Sequence, residues 1–327
     1  MAADRDIGVV VVRALRTLGW ALRSGWEMTA ATGVRGLRLA NEAGPFDRFL
    51  LTESHPAAVE VLRANAARHR GVTVEAADAR QLPSAAPFDY VDLDPYGSPV
   101  AFVPTALRAV RPGGVLAVTA TDLMVLAGAQ RDACRRHYGA EPVRGRLGPE
   151  GGLRILLAYL GREAEAAGRS LRPLLGYVRD HHLRAYVALA DDTAPAEMPI
   201  GEIEPAHWNG PPVGDRGPYG PLWLGPLFSA PLVEALRPGA GLQRPEEVGR
   251  WVERLREESA VDVPFYYEAN SIAGALGLAR PPSLSVLLEA LRSEGFRAAR
   301  SHVRPAAFRT DAPRPVVEAV ARSRAGT

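Results

Sequence analysis

FDYVDLDPYGSP, residues 88–99, reads as a strand that runs directly into a proline-directed turn. Residues 88–93 carry aromatic and β-branched side chains suited to a strand, and Pro95 and Gly97 stop it. Working outward, β-rich runs alternate with amphipathic ones. The pattern predicts strands near 27–31, 48–53, 72–76, 88–93 and 115–120, with helices near 36–43, 56–69, 99–110 and 124–138. That alternation is the pattern of an α/β fold, a parallel sheet with crossover helices. Pro56 suits the first turn of its helix, and RPGG at 111–114 makes a turn before the fifth strand. A further helix over 153–167 and strands over 171–178 and 182–190 complete the sheet.

From residue 191 the texture changes. Residues 193–226 are dense in proline and glycine and read as a connector with turns, neither helix nor sheet. Beyond it lie helical patterns near 231–236, 245–258, 268–277 and 283–295, then a β-rich or irregular tail over 297–315. The expected organisation is a domain over 1–190, a connector over 191–228 and a smaller α+β C-terminal domain over 229–327.

The chain has 327 residues, 47% hydrophobic and 23% charged, enough to bury a large core without a staple. Its single cysteine, Cys134, excludes a disulfide framework and a cysteine-rich zinc site; no metal is expected, and buried packing is the reading for that thiol. No apolar run reaches membrane length and no basic-then-apolar leader is present, so a cytoplasmic protein is expected, with no membrane partner. All 39 basic residues are arginine, yet the net charge is only +2, so any nucleic-acid surface must be a local patch.

Open parallel sheets bind ligands beyond the carboxyl ends of their strands. Asp92, Asp94, Pro95 and Tyr96 are therefore expected to line a cleft. Their order suits methyl transfer to an exocyclic amine. Such a nitrogen is flat, and two acceptors must bind its hydrogens to turn the lone pair toward the methyl. The Asp94 carboxylate and the Pro95 carbonyl supply them, and Tyr96 stacks on a base taken out of its helix. EMTAATGVRGLR, residues 27–38, is a small-residue turn between a strand and a helix, where backbone approaches a cofactor. Glu53 ends the second strand, placed for ribose hydroxyls, and Asp78-Ala79 follows the third, placed for an adenine amine. Acids here, with no basic residue awaiting a phosphate, favour S-adenosyl-L-methionine over NADP. Arg5, just ahead of a helix, suits a carboxylate clamp.

With those motifs in place, the chain resembles the tRNA (guanine-N2)-dimethyltransferase family, which modifies guanine 26. The matching pieces run in order through DRDI (4–7), ATGVRG (31–36), DLDPYGSP (92–99), GGVLAVTATD (113–122), GLRILLAYLGREA (152–164), LLGYVRDHHLRAYV (174–187), GPLWLGPL (220–227), PFYYEANSIAGALG (264–277) and the tail 292–313. The resemblance implies a Rossmann-type methyltransferase domain plus a tRNA-binding C-terminal domain. It implies S-adenosyl-L-methionine contacts at Arg5, Arg35, Glu53, Asp78 and Ala79, and catalysis at Asp94, Pro95 and Tyr96. Asp92, supporting the loop, is grouped with Gly97 and Ser98 on the substrate side. Arg300 and Arg304 stand for tRNA contact within a strip running from Arg292 to Arg314 that includes Arg309, His302 and Phe308.

Three departures stand out. The family's longer N-terminal segment with an aromatic-Asn-Pro motif has no counterpart ahead of Asp4, so another loop holds the base, the start is truncated, or activity is altered. Asp4 replaces the usual Asn, and the connector lacks the four zinc-binding cysteines of some members. His181-His182 reads as a surface turn, with a tRNA or loop-ordering role as the other reading. The function expected is N2-methylation and N2,N2-dimethylation of tRNA guanine by a monomer. Its alternatives are methylation of a different exocyclic amine in RNA or DNA, or a tRNA-binding protein that has lost activity.

Overall fold

A computed structural model describes residues 2–191, 198–214 and 216–325. The expected connector residues 192–197 and 215 lie outside the described residues. The main sheet contains β1 (Ser24–Glu27), β2 (Arg48–Glu53), β3 (Val72–Ala76), β4 (Phe88–Leu93), β5 (Val110–Ala120), β6 (Ser170–Arg179) and β7 (His182–Ala190). Their spatial order is β3-β2-β1-β4-β5-β7-β6, with β7 antiparallel to both its neighbours and the first five parallel. The order reverses between β1 and β4, which opens a crevice at their carboxyl ends. The helices α1 (Ala2–Thr17), α2 (Val34–Glu42), α3 (Pro56–Ala66), α4 (Val103–Ala109), α5 (Leu123–Leu126), α6 (Arg131–Tyr138) and α7 (Gly148–Ala166) accompany it.

Strands β2, β3 and β4 fall on their expected bounds. The first strand does not: it ends at Glu27, where 27–31 was expected. Ser24 and Gly25 are weak strand formers, whereas Met28–Ala30 look strand-like because the turn they form is buried. Gly25 is required because a Cβ there would meet the Phe49 ring at 2.4 Å. The helix expected over 124–138 breaks into α5 and α6 at Ala127–Gln130, where Gly128 takes a φ of +86°. Helix α1 begins at Ala2, so Arg5 lies inside it and not ahead of it.

The connector also departs from expectation. Residues β8 (Ile200–Ile203) and β9 (Tyr219–Trp223) pair antiparallel, and Gly220 bridges to Glu141. Glycine and proline in β9 hide the strand, but its edge position needs few donors. Beyond it lie α8 (Ala230–Ala235), α9 (Pro245–Ser259), β10 (Tyr267–Glu268), α10 (Ala269–Ala275), α11 (Leu284–Ser293), β11 (Ala298–Arg300), β12 (Ala307–Thr310) and α12 (Arg314–Ser323). The three strands form a sheet in the order β10-β12-β11, with its own small core around Leu287, Leu291, Phe308 and Val317.

The two halves meet through charge. Arg309 of β12 is fully buried, 3.0 Å from Glu150 of α7 and 2.6 Å from Glu258 of α9. Arg154 pairs with Glu150 at 2.8 Å, and His302 packs its Nδ1 at 2.7 Å from Glu258. Arg309 and Phe308 are thus core residues and leave the expected phosphate strip; so does His302, whose side chain is 1% exposed.

Candidate active site

The turn after β1 is shaped by hydrogen bonds to the two strands beside it. Met28 N–H donates to the Asp92 carbonyl of β4, and Ala30 N–H donates to the Thr52 carbonyl of β2, each at 2.9 Å. Gly33, at φ +77°, caps α2 and sends Arg35 back over the crevice. There its guanidinium lies 2.6 Å from the Asp94 carboxylate. Asp94 follows β4 directly and also accepts a hydrogen bond from Thr119 of β5. Burial raises the Asp94 carboxyl, but Arg35 and Arg184 outweigh it and hold it below the usual range.

Beyond Asp94 the turn is pinned at its far end. Gly97 N–H donates to Thr121 Oγ1 at 2.7 Å, and Thr121 N–H donates to the Gly97 carbonyl at 3.0 Å. Ser98 Oγ lies 2.9 Å from the Tyr138 hydroxyl, which donates to Asp122 at 2.9 Å. Gly97 sits at φ +87° with open space where a Cβ would go, so its backbone conformation and not crowding favours glycine. Between the strand end and the pinned residues 97–98, Asp94 is half-buried, Pro95 is buried, and the Tyr96 ring is fully exposed.

A cleft of about 600 Å³ opens here. Asp94, Arg35 and the turn after β1 line it, with Arg5 from α1, Thr119 of β5 and Thr121 just beyond it, Asp180 and His181 from the β6–β7 turn, and His182 at the start of β7. The expected surface turn at His181-His182 holds only for His181, which is exposed; His182 already begins β7, pairs with Arg179 across the strands and is half-buried. A second depression of about 200 Å³ adjoins at Thr29 and is lined by Glu53, Asp78, Ala79 and Phe102. The expected cofactor residues Arg5, Arg35, Glu53, Asp78 and Ala79 therefore fall along one continuous crevice.

Its polarity fits S-adenosyl-L-methionine. Acids stand at the end suited to hydroxyls and a base amine, and two arginines stand at the end suited to a carboxylate. Glu53 already accepts N–H groups from Ala31, Ser54 and His55, leaving about one of its roughly four acceptor sites. Arg80 also lies in this depression, contrary to the absence of a basic residue read from sequence. Its guanidinium is engaged with Asp78 at 2.5 Å, which lowers that carboxyl to about 2.

Asp92 corrects the sequence reading. It lies on the expected motif but is fully buried, one pleat deeper than Asp94, between Glu27 of β1 and Ala117 of β5. Arg184 of β7 grips it bidentately at 2.9 and 2.7 Å, and the Tyr90 hydroxyl donates to it at 2.7 Å. The same guanidinium donates to Thr119 at 2.7 Å, so it braces the partner of Asp94 from beneath. The sequence signal for Arg184 is its place inside the apolar run of a strand, where an arginine needs a buried partner.

Glu27 is a second buried acid of the site. It ends β1, is 3% exposed, lines the cleft and accepts the Gly36 N–H at 3.0 Å. Burial, then Asp92 and Asp94, push its carboxyl up to about 8 from an ordinary value near 4.5. A raised carboxyl pKa means the native state holds the extra proton, so stability must fall as pH rises from about 4.5 toward 8. Glu27→Gln removes that slope. At pH 9 we expect its Tm to exceed the parent's, by a free energy of a few kcal/mol at about 1.4 kcal/mol per unit, while at pH 4 the two melt together. Parallel melting curves across that range would exclude the shift.

Cys134 is buried in α6, and burial pushes its thiol up to about 12, which suits packing and not nucleophilic chemistry. Arg304 is exposed at the edge of a groove that shares Asp180 with the cleft; Arg300 is half-buried on β11 and lies outside both. Among the described residues no group of His, Cys, Asp and Glu is placed to hold a metal ion, and no helix is long and apolar enough to cross a membrane.

Comparison with known proteins agrees with this geometry. The family model for N2,N2-dimethylguanosine tRNA methyltransferases matches residues 1–203 and 214–322. A tRNA (guanine(26)-N(2))-dimethyltransferase of Thermococcus kodakarensis is 36% identical, the match covering 98% of this chain and 91% of that protein. One of Pyrococcus furiosus is 32% identical over the same shares. Among solved structures, Trm1 of Pyrococcus horikoshii in complex with S-adenosyl-L-methionine superposes with a TM-score of 0.86 at 28% identity, covering 98% of this chain and 93% of that one.

Proposed function

We propose, from the premise that this chain belongs to the N2,N2-dimethylguanosine tRNA methyltransferase family, that its cleft methylates the exocyclic N2 amine of guanine 26 in tRNA. S-adenosyl-L-methionine, when bound, supplies an electrophilic methyl on a sulfonium. The observation that carries the reading is the position of Asp94: its carboxylate opens into the same cleft as the turn after β1 and Arg35. Arg5 and Arg35 hold a carboxylate at one end, and Glu53, Asp78 and Ala79 line the adenosine end.

The target guanine leaves its stack, which costs a few kcal/mol, and Tyr96 offsets part of that by stacking on it. Asp94 and the Pro95 carbonyl accept the two amine hydrogens and aim the lone pair. After transfer the nitrogen is strongly acidic, so even the low-pKa carboxylate of Asp94 serves to take the proton. Gly97 and Ser98, fixed by Thr121 and Tyr138, hold that geometry still. Asp92 acts through Arg184 as a positioning residue. Asp180, His181 and His182, which border the cleft, wall the side from which the base enters. Arg304 meets the tRNA backbone outside the cleft. The protein works as a cytoplasmic monomer with two domains divided by the connector, the smaller one binding tRNA.

Incubation with unmodified tRNA and labelled S-adenosyl-L-methionine, followed by nucleoside mapping, tests this. N2-methylguanosine and N2,N2-dimethylguanosine at position 26 are expected. Label on another base, or none, would refute it.

A further inference from the structure

Apart from the cleft, the molecule has a slot of about 250 Å³ that none of the catalytic residues enters. Tyr266, Tyr267, Ile272 and Leu276 wall it, and Pro211-Pro212 of the connector close it. Its volume is below the roughly 300–1,000 Å³ of whole-cofactor sites, so it suits one small ring system. The Tyr267 hydroxyl is buried, lies near Arg314 and Glu318, and has no hydrogen-bond partner among the described residues. Such a group costs about 1–3 kcal/mol unless something satisfies it.

The slot shares Arg146, Leu147 and Pro212 with an open basin of about 590 Å³. Among the described residues, Arg131, Arg144, Arg146, Arg216 and Glu141 are the charged groups that line that basin. Arg144, Arg146 and Arg216 are exposed. A cationic basin beside an apolar slot is the arrangement that holds a single-stranded nucleotide, with phosphates on the guanidiniums and the base out of water.

The two sites are connected. The groove bearing Arg304 shares Asp180 with the cleft, and Arg304 Nε lies 3.3 Å from Glu268, a slot residue that also pairs with Arg146. A strand leaving the cleft can follow this path to the slot.

We propose that the slot and its basin bind a second unstacked nucleotide of the tRNA substrate, away from the methylated guanine. This rests on the reading of the protein as a tRNA methyltransferase. The base enters between Tyr266 and Ile272, and its flanking phosphates meet Arg146 and Arg216. Stacked bases in such platforms are worth about 1–3 kcal/mol each, a factor of roughly 5–150 in affinity.

Two full-length variants test it, alongside the parent, by direct tRNA binding and by methylation kinetics. Ala275→Trp plugs the slot from an exposed helix position that lines it. It should weaken tRNA binding at least fivefold and leave the salt dependence of binding unchanged. The double change Arg146→Ala with Arg216→Ala should weaken binding at least tenfold and flatten the log–log salt slope by about 1.4, at about 0.7 per single-stranded phosphate contact. In both, the Kd for S-adenosyl-L-methionine and the Tm should stay near the parent's. If both variants bind tRNA like the parent, the slot serves some other occupant, such as a protein side chain, and the proposal fails. If the parent binds tRNA but methylates none, the functional reading fails while the binding data still judge the slot. A parent that binds no tRNA overturns both.

Discussion

Asp94→Ala should lower kcat by about 10²–10⁴-fold, the range for losing a positioned acid–base group, with the Kd for S-adenosyl-L-methionine changed only a few-fold. The methyl group arrives from a cofactor held by Arg5, Arg35 and the Glu53–Ala79 end, and of these only Arg35 touches Asp94. What is lost is the orientation of the amine. Asp94→Asn keeps the shape and one acceptor oxygen, so it should lose less than the alanine variant. The carboxyl is held below its ordinary value by Arg35 and Arg184 against the effect of burial, so it stays ionised through neutrality. The rate should therefore show no limb from this group between about pH 5 and 8; its charge is lost only as pH falls below the ordinary carboxylate range. Methylation rates of tRNA at saturating cofactor across pH measure the rate effects, and a cofactor titration measures the Kd. A wild-type kcat in Asp94→Ala would remove the residue from the mechanism.

The largest stability effect should come from Arg184→Met. Its partner Asp92 is fully buried, and removing one member of a buried pair leaves an uncompensated charge, at about 3–5 kcal/mol. That corresponds to a fall in Tm on the order of 10 °C for a domain of this size. The contrast with the double variant Asp92→Asn with Arg184→Met is the informative part. A neutral pair removes the stranded charge, so most of the Tm should return. Activity should not return with it, because Arg184 also donates to Thr119 and adds to the field that keeps Asp94 ionised. Thermal melts on the two variants, with kcat for each, separate the contributions. Equal melting temperatures in the single and double variants would mean that Asp92 is not charged in the folded protein.

The particular residues show what the sequence made legible. Strands β2, β3 and β4 were readable to the residue because aromatic and β-branched runs end at polar or proline stops. The site motif was readable for the same reason: a proline after a strand end has few structural uses, and placing it at the crevice follows from topology. Asp92 was misread because sequence spacing does not tell depth; two residues along a central strand separate the solvent edge from the core. Arg184 and Glu27 were missed because each looks like an ordinary charge until the strand order puts it beside Asp92. Arg309 failed the other way, since a row of arginines says nothing about which one turns inward. The pairing of β8 with β9 was hidden by glycine and proline, whose turn preference is real but yields at a sheet edge.

The buried triad of Glu150, Arg309 and Glu258 has a practical corollary for anyone wishing to divide this molecule. Its acids come from α7, on the catalytic side, and from α9, while its cation comes from a strand close to the C-terminus. A fragment ending near the connector would lose Arg309, the Phe265 N–H that donates to Glu150, and the Trp223 and Gly225 carbonyls that hold Arg154. The boundary legible in composition is therefore not a boundary in contacts: an ion pair and two sets of hydrogen bonds cross it, one of them from a residue more than a hundred positions further on.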